Sequence, residues 1–488
     1  MKNHITKADY TRYLECPLYA WLWKNKQELR QGVQNSRVSD QGYEVEVIAR
    51  DLFDKGIEVS GDIQTAHDQT QVLLNNDTSV LYQATFVTDR LISKVDVLVK
   101  DDCGDWHLYE VKSSTKKKPE HIDDIAFQAT VIQDSGIQLS TINLVHVNNQ
   151  YIYNEKEGIV PDKFLMIQNI TDEVLEYLPR IKPKIEVAYN ELTHSAEPSV
   201  PALKKKFKYP LPKKLFDYYW RSIYEYSIYD IANIRAKTLT KLIDQNIHQI
   251  VDIPEGFFPS NKMNDQVTLT KEKSQRIDTD AIDEVFNQLE YPLYFLDYET
   301  VNPAIPLFDQ TKPYEQIPFQ YSLHILESPG SDCAHSDFLH SEKSNPIQAL
   351  LKSLNKAIGP KGTVIVWNQF FEKGRNDFMA AFCPDYKEFL DSVNERVFDL
   401  MVIFQKHYLD YRFKGSASIK NVLPVLVPDL RYSDLTIQHG GMAMDGILDL
   451  VDSNESCGRQ TLISDLKAYC EQDTLAMVRI FECLLHLG

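Results

Sequence analysis

No apolar run in this chain is long enough to cross a bilayer. The run Val364-Ile365-Val366-Trp367 falls far short of the roughly 20 residues that a spanning helix needs. The opening residues, MKNHITKADYTRYLECPLYAW, lack the apolar core of a secretory signal. Both absences predict a cytoplasmic protein with no membrane partner. Cysteine is scarce: seven are scattered without a CxxC pair, which argues against a disulfide framework and fits reduced thiols. The 13 histidines show no HxxxH or His–Cys spacing, so the sequence offers little support for a zinc site. Also missing are GxSxG, GxxxxGK(S/T) and GxGxxG, which removes the serine-hydrolase, P-loop ATPase and dinucleotide-binding classes. Positive charge is in deficit, with 52 Lys and Arg against 70 Asp and Glu and a net charge of -18, which argues against a general polyanion binder.

What is present is globular. The chain has 488 residues, 43% hydrophobic and 25% charged, enough for two or three domains. The acidic balance is compatible with a carboxylate centre that divalent ions neutralise, with local basic patches for contact. Two such patches are KSSTKKK at 112–118 and KKKFKYPLPKK at 204–214, each of which also reads as an ordinary solvated surface.

Three regions follow from the patterning: 1–155, 156–285 and 286–488. In the first, SKVDVLVK (93–100) and WHLYEVKSS (106–114) read as strands around the turn DDCGD, hence a hairpin. A helix is predicted over 121–136, ending on Gly136, and a strand over 140–148. The second region reads as mostly helical with breaks at prolines. Residues 227–254 suggest two short helices and a turn, loosely similar to a helix-hairpin-helix module but without its Gly-rich hairpin, so a connector is the simpler reading. In the third, YPLYFLDYET (291–300) and TVIVWN (363–368) are buried-strand patterns, and PFQYSLHILE (318–327) alternates like a sheet strand. Residues 462–487 form a long amphipathic helix. The expected fold class is multidomain α/β.

Two acidic constellations stand out. Asp96 lies in one strand of the expected hairpin; Glu110 and Lys112 lie in the other, two apart and so on one face. Hard divalent ions take carboxylate oxygens, and a lysine beside them can orient water or stabilise developing charge. Asp297 and Glu299 repeat the i, i+2 spacing on a later strand, an arrangement able to ligate metal for in-line displacement. Tyr469 and Asp473 are four apart on the last helix and share a face. Some of Tyr10, Tyr13, Tyr19 and Trp23 have the chemistry to stack bases, although core packing is the better reading.

The N-terminal segments resemble the RecB-type branch of the PD-(D/E)XK nucleases. TKADYTRYLECPLYAWL (6–22) is similar to that branch's Cys-Pro helix, QGYEVEVIARDLF (41–53) to its first helical motif, and Asp96 and Glu110-Val111-Lys112 to the next two. Gln128 matches its helical glutamine, while Ile132 stands where a tyrosine is usual. The resemblance implies a restriction-endonuclease-like α/β/α core. It makes Glu46, Asp96, Glu110 and the Val111 carbonyl metal ligands, and Lys112, with Glu110 and Asp96, catalytic. Gln128, Lys116 and Lys117 would then contact nucleic acid. Cys16 stands where an early cluster cysteine belongs, but 207–220 has no cysteine, so no iron–sulfur cluster is expected.

FLDYET and YCEQD resemble the first and last motifs of DEDD exonucleases in their tyrosine form, which implies a ribonuclease-H-like domain over 286–488. VWNQFFEK (366–373) resembles the second motif, with Glu372 in place of the usual aspartate and Asp377 and Asp399 in reserve. By this resemblance Asp297, Glu299, Glu372 and Asp473 bind metal, Tyr469 orients water and Asn368 meets nucleic acid. The combined expectation is a Mg²⁺- or Mn²⁺-dependent nuclease, an exonuclease favouring DNA with single-stranded ends, in genome defence or repair. A protein partner would supply a helicase or other activity. The alternatives are a nucleic-acid-binding subunit with one or both sites inactive, and an RNA-processing exonuclease.

Overall fold

A computed structural model describes residues 3–26, 37–53, 55–193, 196, 225–452 and 458–487. The fold is mixed α/β in two units: 1–223 with 303–314, and 224–302 with 315–488. The basic run 204–214 and the cysteine-free stretch 207–220 lie outside the described residues.

The first unit is built on a seven-stranded sheet. Its strands are β1 (Ile5–Thr6), β2 (Ile57–Glu58), β3 (Val80–Val87), β4 (Leu91–Lys100), β5 (Trp106–Lys112), β6 (Leu139–Val147) and β7 (Leu165–Asn169). They lie in the order β2-β3-β4-β5-β6-β7, with β1 beside β4. The hairpin of β4 and β5 is antiparallel, with Val97 opposite Tyr109. Its turn is made by the Asp101 carboxylate, which accepts from the backbone N–H of Cys103 and of Asp105 at 3.0 and 2.9 Å. A parallel step then joins β5 to β6, and the crossover is the helix Pro119–Asp134, as parallel pairing requires. That helix starts on Pro119 and is followed by Gly136 in the left-handed region, φ +88°. Ile125, Phe127 and Ile132 of this helix pack with Leu108, Ile142 and Ile181. A second core sets Val45 and Ala49 of the helix Arg37–Arg50 against Val97, Val111 and Val145.

The region after residue 155 opens with the short helix Pro161–Phe164, and β7 then adds a strand to the first sheet. One expectation for 156–285 needs correction: prolines do not break the next helix, because Thr171–Thr193 runs through Pro179 and Pro183. Both prolines are exposed and four apart, on one face, while Val174, Leu178, Ile181, Ile185 and Leu192 form the buried stripe. Burial of that stripe outweighs the two lost hydrogen bonds.

The second unit begins with a small apolar cluster around Ile228, Leu239, Leu242, Ile250 and Val267. Here 227–254 contains one α-helix, Ala236–Asp244, between single turns at Ile228–Asp230 and Ile250–Asp252, rather than two helices. Ser227 and Asp230 close a capping box at the start of the first turn, which stops at Ile231, where the backbone becomes extended. A two-stranded ribbon pairs β8 (Gln275–Ile277) with β14 (Tyr408–Asp410). The main sheet contains β9 (Leu293–Val301), β10 (Ile317–Leu326), β11 (Cys333–Leu339), β12 (Thr363–Val366) and β13 (Val397–Asp399), in the order β11-β10-β9-β12-β13. β9 is central, antiparallel to β10 and parallel to β12. The C-terminal helix, Arg459–Leu485, packs on this sheet: Gln320 of β10 donates to the Leu466 carbonyl at 3.0 Å, and Phe481 meets Phe295 of β9 edge-on.

Candidate active site

In the first unit the β4–β5 register brings Asp96, Glu110 and Lys112 together, and two unanticipated residues join them. Lys7, from the helix Lys7–Glu15, donates to Glu110 Oε1 at 2.8 Å, and Lys112 donates to the same oxygen at 2.6 Å. Lys112 also reaches Asp124 of the helix Pro119–Asp134 at 2.5 Å. Gln128, one turn later, donates to Glu110 Oε2 at 2.7 Å and to Asp124 at 3.3 Å. Asp96 Oδ2 accepts from the Val111 N–H at 2.9 Å.

Burial would raise the Glu110 pKa, but the Lys112 and Lys7 ammonium groups outweigh it and hold the carboxyl well below the usual range. Among the described residues Asp96 forms no ion pair, although the Lys7 and Lys112 charges act on it. Burial, then the Glu110 charge, push it up to about 8. Glu46 lies near enough for its charge to act on Asp96, yet its carboxylate accepts from Gln83 and Arg50. Gln128 is fully buried. Its side-chain amide holds the Glu110 and Asp124 carboxylates in place. Lys117 pairs with Glu173, and Lys116 is exposed. Tyr10 is buried and stacked on Phe127, a core role. Cys16 is likewise buried, its sulfur accepting from the Tyr19 N–H at the start of the helix Pro17–Asn25.

The second unit gathers Asp297, Glu299 and Asp473 so that one carboxylate oxygen of each lies within 4.8 Å of the others. Asp297 and Glu299 project from one face of the central strand, and Asp473 comes down from the C-terminal helix. Burial pushes all three pKa values up, reinforced at Asp297 and Glu299 by the neighbouring Asp473 charge. Asp297 rises well above the carboxylate range, Glu299 to about 8 and Asp473 to about 6. Glu372 is not in the 4.8 Å group. It is buried, its charge acts on Asp297, its own pKa is pushed up to about 8 chiefly by burial, and its Oε2 has no hydrogen-bond partner among the described residues.

The reserve aspartates do not replace Glu372. Asp399 accepts from the N–H groups of Asn368, Gln369 and Met401, so it fixes the start of the helix Gln369–Phe382. Asn368 holds the left-handed turn before that helix, φ +89°. Asp377 is exposed and accepts from Asn394.

Two residues in this cluster escaped the sequence analysis. The Tyr432 hydroxyl donates to Asp473. Lys420 sets its ammonium over the rings of Tyr432 and Tyr469, 5.2 and 5.7 Å from their centroids, and its charge acts on Glu299 and Asp473. Tyr469 is buried beside Asp473, and burial and the Asp473 charge keep its hydroxyl protonated. The chemistry of the trio suits a hard divalent cation, because an oxygen-only donor set of converging carboxylates is what such ions take.

A family described as "Domain of unknown function (DUF2779)" matches residues 294–418, which include Asp297, Glu299 and Glu372 but not Lys420, Tyr469 or Asp473. The uncharacterized MG366 homolog of Mycoplasma pneumoniae is 28% identical over 218 residues, covering 40% of this chain and 32% of that protein. The uncharacterized protein UU173 of Ureaplasma parvum is 24% identical over 289 residues, 53% of this chain and 41% of that protein. The chain thus spans less than half the length of these relatives. A solved structure titled "Crystal structure of SSO0001" is 13% identical and covers 41% of this chain and 89% of its own, with a TM-score of 0.18, a likeness that carries no argument.

Proposed function

We propose that the protein is a metal-dependent nuclease that hydrolyses phosphodiester bonds, with its chemistry centred on Asp297, Glu299 and Asp473. The observation that carries this reading is the convergence of three poorly solvated carboxylates within 4.8 Å, each with a raised pKa. Such a cluster is strained by its own charge and is relieved by a divalent ion. Asp297, Glu299 and Asp473 would hold Mg²⁺ or Mn²⁺, and Glu372, with its unpartnered oxygen, is the group best placed to add a fourth carboxylate. The ion, when bound, supplies charge neutralisation and an activated water for attack at phosphorus.

The chain's own groups do the rest. Tyr469 keeps a neutral hydroxyl that donates to Asp473, and its oxygen is suited to accept from a water held there. Tyr432 fixes the Asp473 carboxylate, leaving its other oxygen for metal. Lys420 carries a positive charge at the tyrosine edge of the cluster, where a phosphate would gain from it. The acidic pair on the central strand of a mixed five-stranded sheet, covered by the C-terminal helix, supports a ribonuclease-H-like DEDD reading of this unit.

The RecB-type reading of the first unit is kept as part of the proposal, with Asp96, Glu110, the Val111 carbonyl and Lys112 as its metal and catalytic set. One observation favours a lesser role there: both oxygens of Glu110 already accept from Lys7, Lys112 and Gln128. In that second reading the first unit binds nucleic acid and leaves cleavage to the second. The substrate we favour is DNA with single-stranded ends.

The test is cleavage of end-labelled single- and double-stranded DNA and RNA in Mg²⁺, Mn²⁺ and chelator, by the full chain and by Asp297→Ala, Lys112→Ala and the double variant. Metal-dependent cleavage lost in Asp297→Ala is the expected result. A wild-type chain that binds these substrates and leaves all of them intact overturns the proposal. Preference for RNA would redirect it to RNA processing.

A further inference from the structure

The strand pairing of the second unit creates a group that no local sequence spacing announces. β10 and β11 are antiparallel, and His324 stands directly opposite His335. Their rings lie 4.5 Å apart between centroids, and Glu471 of the C-terminal helix reaches the same spot. One nitrogen of each histidine and one oxygen of Glu471 lie within 4.8 Å of one another.

The surrounding hydrogen bonds decide which nitrogens are free. The Thr474 hydroxyl donates to the Glu471 carbonyl, 3.1 Å away, because a carbonyl can only accept. Thr474 Oγ1 is then the acceptor for its other two neighbours, Ser322 Oγ at 2.7 Å and His324 Nδ1 at 2.8 Å. With the Thr474 proton on that carbonyl, His324 carries its own proton on Nδ1 and leaves Nε2 bare. The single Ser322 proton points to Thr474, so Ser322 accepts from His335 Nε2 at 2.9 Å. His335 Nδ1 is left facing Glu471, 3.9 Å from Oε1. Both imidazoles are thus oriented through their far nitrogens by hydroxyl groups, the arrangement that metal-ligating histidines commonly show.

We propose that His324, His335 and Glu471 form a three-ligand site for a divalent transition cation, Zn²⁺ foremost, which ties the C-terminal helix to the edge of the sheet. Two nitrogens and a carboxylate oxygen match the borderline character of Zn²⁺ and leave a coordination position for water. The 3.9 Å gap from His335 to Glu471 is longer than a hydrogen bond. Two ligand bonds of about 2 Å at a tetrahedral ion set their ligand atoms about 3.3 Å apart, so binding would draw these two groups together by about 0.6 Å. His324 is buried and stays neutral, whereas His335 and Glu471 are partly exposed and give the ion a way in. Glu471 is two residues before Asp473, so the ion would also steady the helix that presents Asp473 to the other two carboxylates. The site stands on its own ligands and does not depend on the nuclease reading.

The competing account is a plain His335–Glu471 ion pair. The full chain, stripped with chelator and dialysed, is titrated with Zn²⁺ against a chromophoric competitor, and the metal-free proteins are compared by circular dichroism. The background is Asp297→Asn with Asp473→Asn, which silences the carboxylate trio. One equivalent should bind, and His335→Ala or Glu471→Ala should weaken it at least tenfold while leaving the metal-free spectrum unchanged. Because the double background has two buried changes, the wild-type chain is also loaded with Co²⁺. Visible absorption of the intensity given by four-coordinate, nitrogen-ligated Co²⁺ should appear, and His335→Ala should abolish it. Zn²⁺ binding and Co²⁺ absorption that are absent, or unchanged by His335→Ala and Glu471→Ala, overturn the proposal.

Discussion

In the N-terminal unit Glu110 and Asp124 are met by the ammonium groups of Lys7 and Lys112, whereas in the C-terminal unit Asp297, Glu299 and Asp473 meet one another. Both clusters sit on sheet strands and both are poorly solvated. At about 4 Å and an effective dielectric of about 20, each like-charge pair costs on the order of 4 kcal/mol when fully ionised, and each unlike pair returns a similar amount. Apart from Asp96, the first cluster is therefore close to charge balance, and the second is relieved by protonation or by a bound cation. A count of acidic residues in the sequence treats them alike. The cations around them decide which one asks for a metal ion.

The largest expected effect is kinetic. On the proposed function, Asp297→Ala should lower metal-dependent cleavage by at least about 10³-fold, because the proposed metal site would lose a ligand. Lys112→Ala should lower it less than about tenfold if the first cluster is a structural and binding element. Single-turnover rates on labelled single-stranded DNA check this. Equal losses in the two variants would break the contrast and restore a catalytic role to the N-terminal unit.

Stability should move in opposite directions at the two sites. Lys112→Met leaves the buried Glu110 with one cation fewer, and should destabilise the metal-free chain by about 3 kcal/mol, as removal of one partner from a buried ion pair does. Asp297→Asn replaces a buried carboxyl that can ionise only against burial and the Asp473 charge, and should stabilise the metal-free chain at alkaline pH by about 1 kcal/mol. Chelator-treated protein in a denaturant titration gives both values. A destabilising Asp297→Asn would mean that the trio is held by contacts other than those described.

The same contrast should appear against pH. Asp473, Glu299 and Glu372 have folded-state pKa values pushed up to about 6, 8 and 8, above their unfolded values. Their contribution is fully present below the unfolded carboxyl range at about 4, and it is lost as pH rises from there through about 6 for Asp473 and about 8 for Glu299 and Glu372. Asp96, pushed up to about 8, follows the same direction. Glu110 is depressed, so its contribution is present above the unfolded carboxyl range and is lost only on strong acidification. The metal-free chain should therefore lose thermal stability between pH 6 and 8. Added Mg²⁺ should restore more at pH 8 than at pH 6, because binding must displace protons. A flat metal-free profile across that window would remove the electrostatic basis of the contrast.

These signs explain how far the sequence can be read. The β4–β5 hairpin, the strand carrying Asp297 and Glu299 and the long last helix were legible because each rests on local periodicity or turn chemistry. The carboxylates were legible for the same reason, since i, i+2 on a strand fixes a shared face. Their neighbours were not. Lys7 meets Glu110 across 103 residues, and Tyr432 meets Asp473 across 41. Only tertiary packing sets such separations. His324 and His335 are 11 apart, outside any helical spacing, and become neighbours only through the register of β10 on β11. The helix through Pro179 and Pro183 failed as an expectation because local proline chemistry was weighed without the buried stripe opposite it.

The smallest expected effect falls on Lys420, and it sharpens the contrast from the cation side. Unlike Lys7 and Lys112, Lys420 forms no ion pair with its cluster among the described residues; it lies over two tyrosine rings and donates to the Gln438 carbonyl at 3.0 Å. It is exposed, so its charge acts on Glu299 and Asp473 through partly screened space. A cation placed this way leaves the carboxylates available for metal, yet favours a phosphate arriving beside them. Lys420→Met keeps the aliphatic stem over the rings and removes only the charge. It should raise KM for a short single strand about threefold at low salt, with kcat within twofold, and the effect should shrink as salt rises. A fall in kcat with KM unchanged would instead assign Lys420 to the reacting phosphate itself, and make the second cluster, like the first, one that depends on a lysine.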